Sequence, residues 1–162
     1  MILRIRTILD VDSDVLRDIE IDENSSLKDL HVSIIKSYGF EGKEMASFYK
    51  TNENWEQGDE MSLIDFGAGG DFSDESLGVV FSSKNNKLLY VYDFLELWTF
   101  FIEVIEVSEM NKNVRYPNLV FSQGNVPKNP PIKVFESSIS DNEVSLEDED
   151  HNDLNYDEFY WD

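Results

Sequence analysis

The chain has 162 residues, 41% of them hydrophobic and 13% aromatic, which is enough apolar side chain for one folded domain. Its 34 acidic and 13 basic residues give a formal net charge of −21, which excludes non-specific binding to phosphate backbones or anionic membrane surfaces. Cysteine is absent, so disulfides, thiolate metal sites and cysteine nucleophiles are excluded as well. No signal peptide or membrane-spanning run is visible, and we expect a cytoplasmic protein.

The first third of the chain predicts a β-hairpin followed by one main amphipathic helix. Apolar and polar residues alternate over 3–9 and 15–21, on either side of an acidic turn. Helical spacing then follows in Leu27, Leu30, His31, Ile34, Ile35 and Tyr38. Ser26 and Asp29 are placed as a capping pair, and Gly39 is placed to end the helix.

The middle of the chain predicts further antiparallel strands. Residues 45–50 form one strand, and residues 87–94 and 98–107 form a hairpin around a turn at 95–97. Tyr90, Tyr92 and Phe94 are expected on one face, and Trp98 is expected to anchor the core. Residues 53–83 stay unassigned apart from a mobile loop predicted over GAGGDFSDES at 67–76. The predicted fold class is α+β with a mostly antiparallel sheet.

The C-terminal end differs sharply in charge from the rest. Residues 136–162, called the acidic tail below, contain 11 acids and neither lysine nor arginine. They show no helical or strand periodicity, and the Pro-rich stretch 125–133 separates them from the body. We therefore expect a single α+β domain over 1–135 and a disordered acidic tail over 136–162.

Two patterns suggest ion or phosphate sites and are better explained otherwise. Asp10, Asp12 and Asp14 resemble the start of a calcium loop, but Val15 replaces the turn glycine and Ile21 replaces the bidentate glutamate. A solvated turn is the favoured interpretation. The sequence GAGGD at 67–71 lacks the Lys-Ser/Thr of a phosphate-binding loop, so a flexible loop is favoured there.

The sequence evidence for catalytic residues is equally weak. His31 lies on the apolar stripe of the helix, where a hydrogen-bonded structural histidine is expected, and His151 lies in the acidic tail. Asp93 and Glu96 form an acid pair, but such coincidences are expected among 34 acids. We predict no catalytic residue, no metal site and no cofactor.

The aromatic residues of the second hairpin could in principle stack on nucleic-acid bases. Tyr92, Phe94 and Trp98 would supply the rings, but Lys84 and Lys87 are too few to form a basic groove. Core packing is the preferred interpretation.

Several ordered motifs resemble one known family. They are VLRDIEI, SSLKDLHVSIIKSYGF, MASFY, NENW, LLYVYDF-x-x-x-W-x-x-x-IEV and YPNLVFSQGNVP, which together span about residues 2–131. This order resembles the plasmid open-reading-frame-three family, named from a root-inducing plasmid, whose members are also labelled insertion-element passenger or TnpR-like proteins. The resemblance implies a compact α+β body and a gene often carried on mobile elements, and it brings no established activity.

The chain departs from that family pattern at two places. Leu95 and Glu96 stand where the family commonly has Gly-Asp before the tryptophan, and the family's later cysteine is missing. A resolvase function is not carried over, because four arginines on so acidic a chain do not supply the DNA-gripping surroundings of a serine nucleophile.

These observations favour a non-enzymatic protein-interaction module, an accessory of a plasmid or mobile element. Its partner is expected to be a protein with a basic surface, with no direct binding to nucleic acid or membrane, and its oligomeric state stays open. The alternative is an acidic mimic of nucleic acid that occupies the basic cleft of a DNA-binding protein; an acid-dependent hydrolase has least support. The predicted protein-binding residues all lie in the acidic tail: Glu147, Asp148, Glu149, Asp150, Tyr156, Phe159, Tyr160 and Trp161.

Overall fold

The computed structural model describes residues 1–63, 71–82 and 84–132, and its centre is one antiparallel sheet of seven strands. The elements in chain order are β1 (Ile2–Leu9), β2 (Leu16–Asp22), α1 (Leu27–Tyr38), β3 (Ala46–Thr51), β4 (Gln57–Ser62), α2 (Leu77–Val80), β5 (Lys87–Tyr92), β6 (Trp98–Ser108) and β7 (Asn118–Gln123). The strand order is β4-β3-β5-β6-β1-β2-β7, and every neighbouring pair is antiparallel. The predicted α+β class with a mostly antiparallel sheet is confirmed. The acidic tail and the loop glycines at 67–70 lie outside the described residues.

The predicted N-terminal hairpin lies within the sheet, between β6 and the edge strand β7. β1 pairs with β2 so that Leu3 faces Ile21 and Ile5 faces Ile19, and β1 also pairs with β6 on its other side. Because side chains alternate between the two faces of a strand, this register places these four apolar residues on one face. All four are buried in the hydrophobic core.

Helix α1 covers that face of the sheet. Ser26 Oγ accepts a hydrogen bond from the Asp29 amide at 3.1 Å, and the Asp29 carboxylate accepts one from the Ser26 amide at 2.9 Å, which is the predicted capping box. Gly39 ends the helix in the left-handed conformation at φ 80°. The helix buries Leu27, Leu30, Ser33, Ile34, Ile35 and Tyr38, whereas His31 is half-buried at the margin of the stripe.

The second hairpin joins β5 to β6 through a turn that the sequence places correctly. Tyr92 pairs with Trp98, and the side chain of Trp98 is 8% exposed, so its predicted role as a core anchor is confirmed. Asp93 takes a positive φ of 72° directly after β5. The chain leaves the strand there, so Phe94 lies in the turn. The prediction that Phe94 shares a strand face with Tyr90 and Tyr92 is therefore wrong.

Three elements were not predicted: β4, α2 and β7. β4 is mostly exposed and polar with one buried residue, Met61, and α2 is a single turn of four residues. β7 is an edge strand whose register against β2 shifts at Asp18/Ile19, which breaks a simple alternating pattern. Neither described helix has the length and apolar character needed to cross a lipid bilayer.

Candidate functional site

A groove runs between the outer side of α1 and the edge strand β7. Its volume is about 660 Å³, and we call it the α1–β7 groove. Val32 and Lys36 line it from the helix, and Arg115, Pro117 and Leu119 line it from the opposite wall. The edge position of β7 leaves this wall without a further strand beside it among the described residues.

The groove combines apolar and basic groups. Val32 is 38% exposed and Leu119 is 47% exposed, although both are large hydrophobic residues. Lys36 and Arg115 are its bases and Asp29 is its one acid, whereas the described residues together hold 12 bases and 22 acids. The groove is therefore a locally basic, partly apolar surface on an acidic protein.

A buried arginine holds the two walls of the groove together. Arg17 donates from Nε to the Ser37 carbonyl at 3.0 Å and from Nη1 to the Gln123 carbonyl at 2.9 Å. Its guanidinium lies 4.7 Å from the centre of the Tyr38 ring. Because a guanidinium stays charged in a protein, carbonyl oxygens and an aromatic face are suitable surroundings for it. Arg17 thus ties the end of α1 to the end of β7.

Tyr38 fastens the same end of α1 to the sheet. Its hydroxyl donates to the Thr7 carbonyl at 2.9 Å and lies 2.8 Å from Thr7 Oγ1. Burial raises the pKa of Tyr38 to about 12, so the hydroxyl stays protonated and can donate. The wall of the groove is therefore fixed by the core beneath it.

The opposite face of the sheet carries a buried carboxylate between two arginines. Asp18 is fully buried and accepts hydrogen bonds from Arg6 Nε at 2.8 Å and Arg4 Nη2 at 2.9 Å. Burial alone would raise the pKa of Asp18, but the hydrogen bonds from Arg6 and Arg4 outweigh it and hold the pKa below its usual value. On β6, Glu103 and Glu106 face Arg6 and Arg4 in register. The arginines of this face are therefore paired with a carboxylate among the described residues.

His31 is partly buried and hydrogen-bonded, as predicted. Its Nδ1 lies 2.6 Å from the hydroxyl oxygen of Tyr90, and its ring is half-buried. Desolvation, with a smaller contribution from Lys28, lowers the pKa of His31. The other histidine, His151, lies outside the described residues.

Of the acid pair in the second hairpin, Asp93 stabilises the turn. Asp93 Oδ1 accepts hydrogen bonds from the amides of Leu95 at 3.0 Å and Glu96 at 3.2 Å. The Asp10, Asp12 and Asp14 turn likewise belongs to no cluster of three metal-binding side chains within the described part of the chain.

Two of the three aromatic residues considered as base-stacking groups, Tyr92 and Trp98, lie in the core. The ring of Phe40 lies 5.0 Å from that of Tyr92 and 5.5 Å from that of Trp98. Both Tyr92 and Trp98 are buried. The preference for core packing is confirmed for these two.

The structure places none of the predicted protein-binding residues, because all eight lie in the acidic tail and outside the described residues. The α1–β7 groove was in turn not predicted. Two signals pointed to it: Val32 interrupts the polar side of α1, and residues 117–124 form a run without charge in a very acidic chain. Neither signal shows that the two segments meet.

The fold is that of a sheet-dominated α+β protein with a partly apolar groove at one sheet edge. The family model of plasmid pRiA4b ORF-3-like proteins matches residues 2–154, so the chain belongs to this family, as the sequence motifs suggested. Comparison with curated proteins gives no match. A protein of unknown function, MM3350 from Methanosarcina mazei Go1, has a similar crystal structure, with a TM-score of 0.68 and 21% identity. The similarity covers 78% of this chain and 72% of that one, and it shows the fold alone.

Proposed function

We propose that this protein is a non-enzymatic interaction module, an accessory of a plasmid or mobile element, whose acidic tail engages a basic surface on a partner protein. The separation of charge along the chain carries this proposal. The tail holds 11 acids and neither lysine nor arginine, so its carboxylates have no lysine or arginine to pair with inside the tail. A basic protein surface supplies the missing charges.

The tail also has the anchors that a protein interface needs. Its last seven residues include Tyr156, Phe159, Tyr160 and Trp161 among acids. Aromatic side chains provide most of the energy at many interfaces, whereas surrounding charges mainly raise the rate of association. We therefore assign Glu147–Asp150 to steering and the terminal aromatics to anchoring.

Polar groups of the body that could have served catalysis have structural partners. His31 is bonded to Tyr90, and Asp18 is held by two arginines. Asp93 holds a turn. These groups stabilise the scaffold from which the tail extends.

A capture experiment tests the proposal. The immobilised full chain is exposed to host lysate beside a Phe159→Ala/Trp161→Ala variant and a Phe121→Ala control, in which an exposed aromatic residue of β7 is removed. We expect the native chain and the control to retain the same basic protein and the double variant to lose it. Equal capture by all three would contradict the proposal.

The same assay separates this function from nucleic-acid mimicry. A charge mimic would lose its partner when Glu147–Asp150 are neutralised and would keep it when Phe159 and Trp161 are replaced. An interaction module anchored by aromatics shows the larger loss with the second change.

A further inference from the structure

We propose that the α1–β7 groove is the resting site of the chain's own acidic tail, occupied by the stretch 147–161 of the same molecule. The role of the tail as a binding arm rests on the proposed function. Its docking in the groove is a separate claim, carried by the chemistry of the groove and the length of the chain beyond it. Partner binding would then require release of the tail, which makes the groove an autoinhibitory site.

The bases of the groove are available for such a contact. Among the described residues Lys36 and Arg115 form no ion pair, whereas Arg4 and Arg6 are paired with Asp18 and Lys87 with Glu103. Both side chains are exposed, and the groove's acid Asp29 already accepts the Ser26 amide. A carboxylate-rich segment supplies the charges that these two bases lack.

The apolar wall distinguishes this groove from a second groove that also carries two bases. A smaller groove of about 350 Å³ is lined by Lys84 and Lys87, but its remaining lining residues are polar or acidic. The α1–β7 groove adds the exposed side chains of Val32 and Leu119. A segment that carries both carboxylates and the rings of Phe159 and Trp161 therefore fits the α1–β7 groove better.

The chain is long enough to reach the groove. β7 ends at Gln123, and the groove extends along this strand to Asn118, a distance of roughly 17 Å at about 3.4 Å per residue. From Ile132, the last described residue, fifteen residues lead to Glu147, and such a segment spans up to about 50 Å when extended. A tether of this kind raises the local concentration of the tail to about the millimolar range, so weak contacts suffice for docking.

Paramagnetic relaxation in the full chain tests the inference. Because the chain has no cysteine, Asn155→Cys gives a single attachment site for a spin label. At about 0.1 M salt we expect loss of amide NMR intensity at Val32, Lys36, Arg115 and Leu119. The loss should disappear at about 1 M salt, where the Debye length falls from about 10 to about 3 Å. Lys36→Glu/Arg115→Glu should abolish it, and the Lys84→Glu control should leave it unchanged.

Three outcomes would overturn the inference. The first is no loss of amide intensity at the groove, and the second is a loss centred on another surface, such as that around Lys84. The third is a loss seen only between a labelled and an isotope-enriched copy in a mixed sample, which would place the tail of a second copy in the groove. Partner capture is scored separately. Docking without any partner would refute the proposed function and leave the inference intact, and capture without docking would do the reverse.

Discussion

The hydroxyl of Tyr90 lies 2.6 Å from Nδ1 of His31 and joins β5 to α1 at the margin of the core. Burial raises the pKa of Tyr90 well above 10, and desolvation lowers the pKa of His31. Both groups are therefore neutral near pH 7, and the tautomer of His31 sets which of the two donates in this hydrogen bond. The helix that forms one wall of the α1–β7 groove is held to the sheet by this contact.

This pair predicts a pH dependence of stability. The folded protein binds the His31 proton more weakly than the unfolded chain, whose histidine pKa is about 6.5. The free energy of unfolding is therefore highest above about pH 6.5. It decreases as the pH falls toward the pKa of folded His31, by at most about 1.4 kcal/mol per pH unit. Urea unfolding at about pH 7.5 and 5.5 measures the loss. His31→Asn, which keeps an acceptor and removes the titration, should lose less over this interval, and equal losses would refute the prediction.

The buried carboxylate of Asp18 should contribute far more to stability than the carboxylate of Glu20 on the same face of β2. Asp18→Asn removes the charge that accepts from Arg4 and Arg6, and we expect a cost of about 2–3 kcal/mol in unfolding free energy. Glu20→Gln, on the same face of β2, is the matched control, because Glu20 forms no ion pair with a described residue and is partly exposed. Denaturant midpoints of the two variants should differ clearly; coincident midpoints would show that the arginines do not depend on Asp18.

Trp98 should be a stability anchor. Its ring is 8% exposed and packs on Phe40, so Trp98→Ala should cost about 3–5 kcal/mol. Trp55→Ala is the comparison, since Trp55 is partly exposed and contacts Phe101. Thermal and denaturant unfolding should rank Trp98 well above Trp55. Unfolding of the Trp98 variant at the native midpoint would mean that this ring is exposed.

Two glycines with nearly equal φ should respond differently to alanine. Gly39 at φ 80° has no heavy atom near a built Cβ, so Gly39→Ala should cost about 1–2 kcal/mol from backbone conformation alone. At Gly124, φ 81°, the added carbon would overlap the Asp14 carbonyl oxygen. Gly124→Ala should therefore add an overpacking cost of about 1–3 kcal/mol to the same backbone term. Equal denaturant midpoints for the two variants would contradict the close approach of Gly124 to the Asp14 carbonyl.

The parts of the fold that follow local rules were predictable from the sequence. The capping box of Ser26 and Asp29, the stop at Gly39 and the burial of Trp98 each depend on residues a few positions apart or on strand alternation. The partial burial and hydrogen bonding of His31 also followed from its place on the helix.

The candidate site was not predictable in the same way. Its walls meet through Arg17 and Gln123, which are 106 positions apart, and no local pattern encodes that contact. The register shift in the β2–β7 pairing hides the strand character of β7, and the positive φ of Asp93 moves Phe94 off the strand face. Long-range pairing and single backbone angles decided these features.

Binding kinetics of the captured partner test the central claim, that the acidic tail is the binding arm, most directly. We predict that neutralising Glu147–Asp150 slows association and flattens its salt dependence. Phe159→Ala with Trp161→Ala should chiefly accelerate dissociation. If both variants bind the partner with the rates of the native chain, the tail is not the binding arm and the account is wrong.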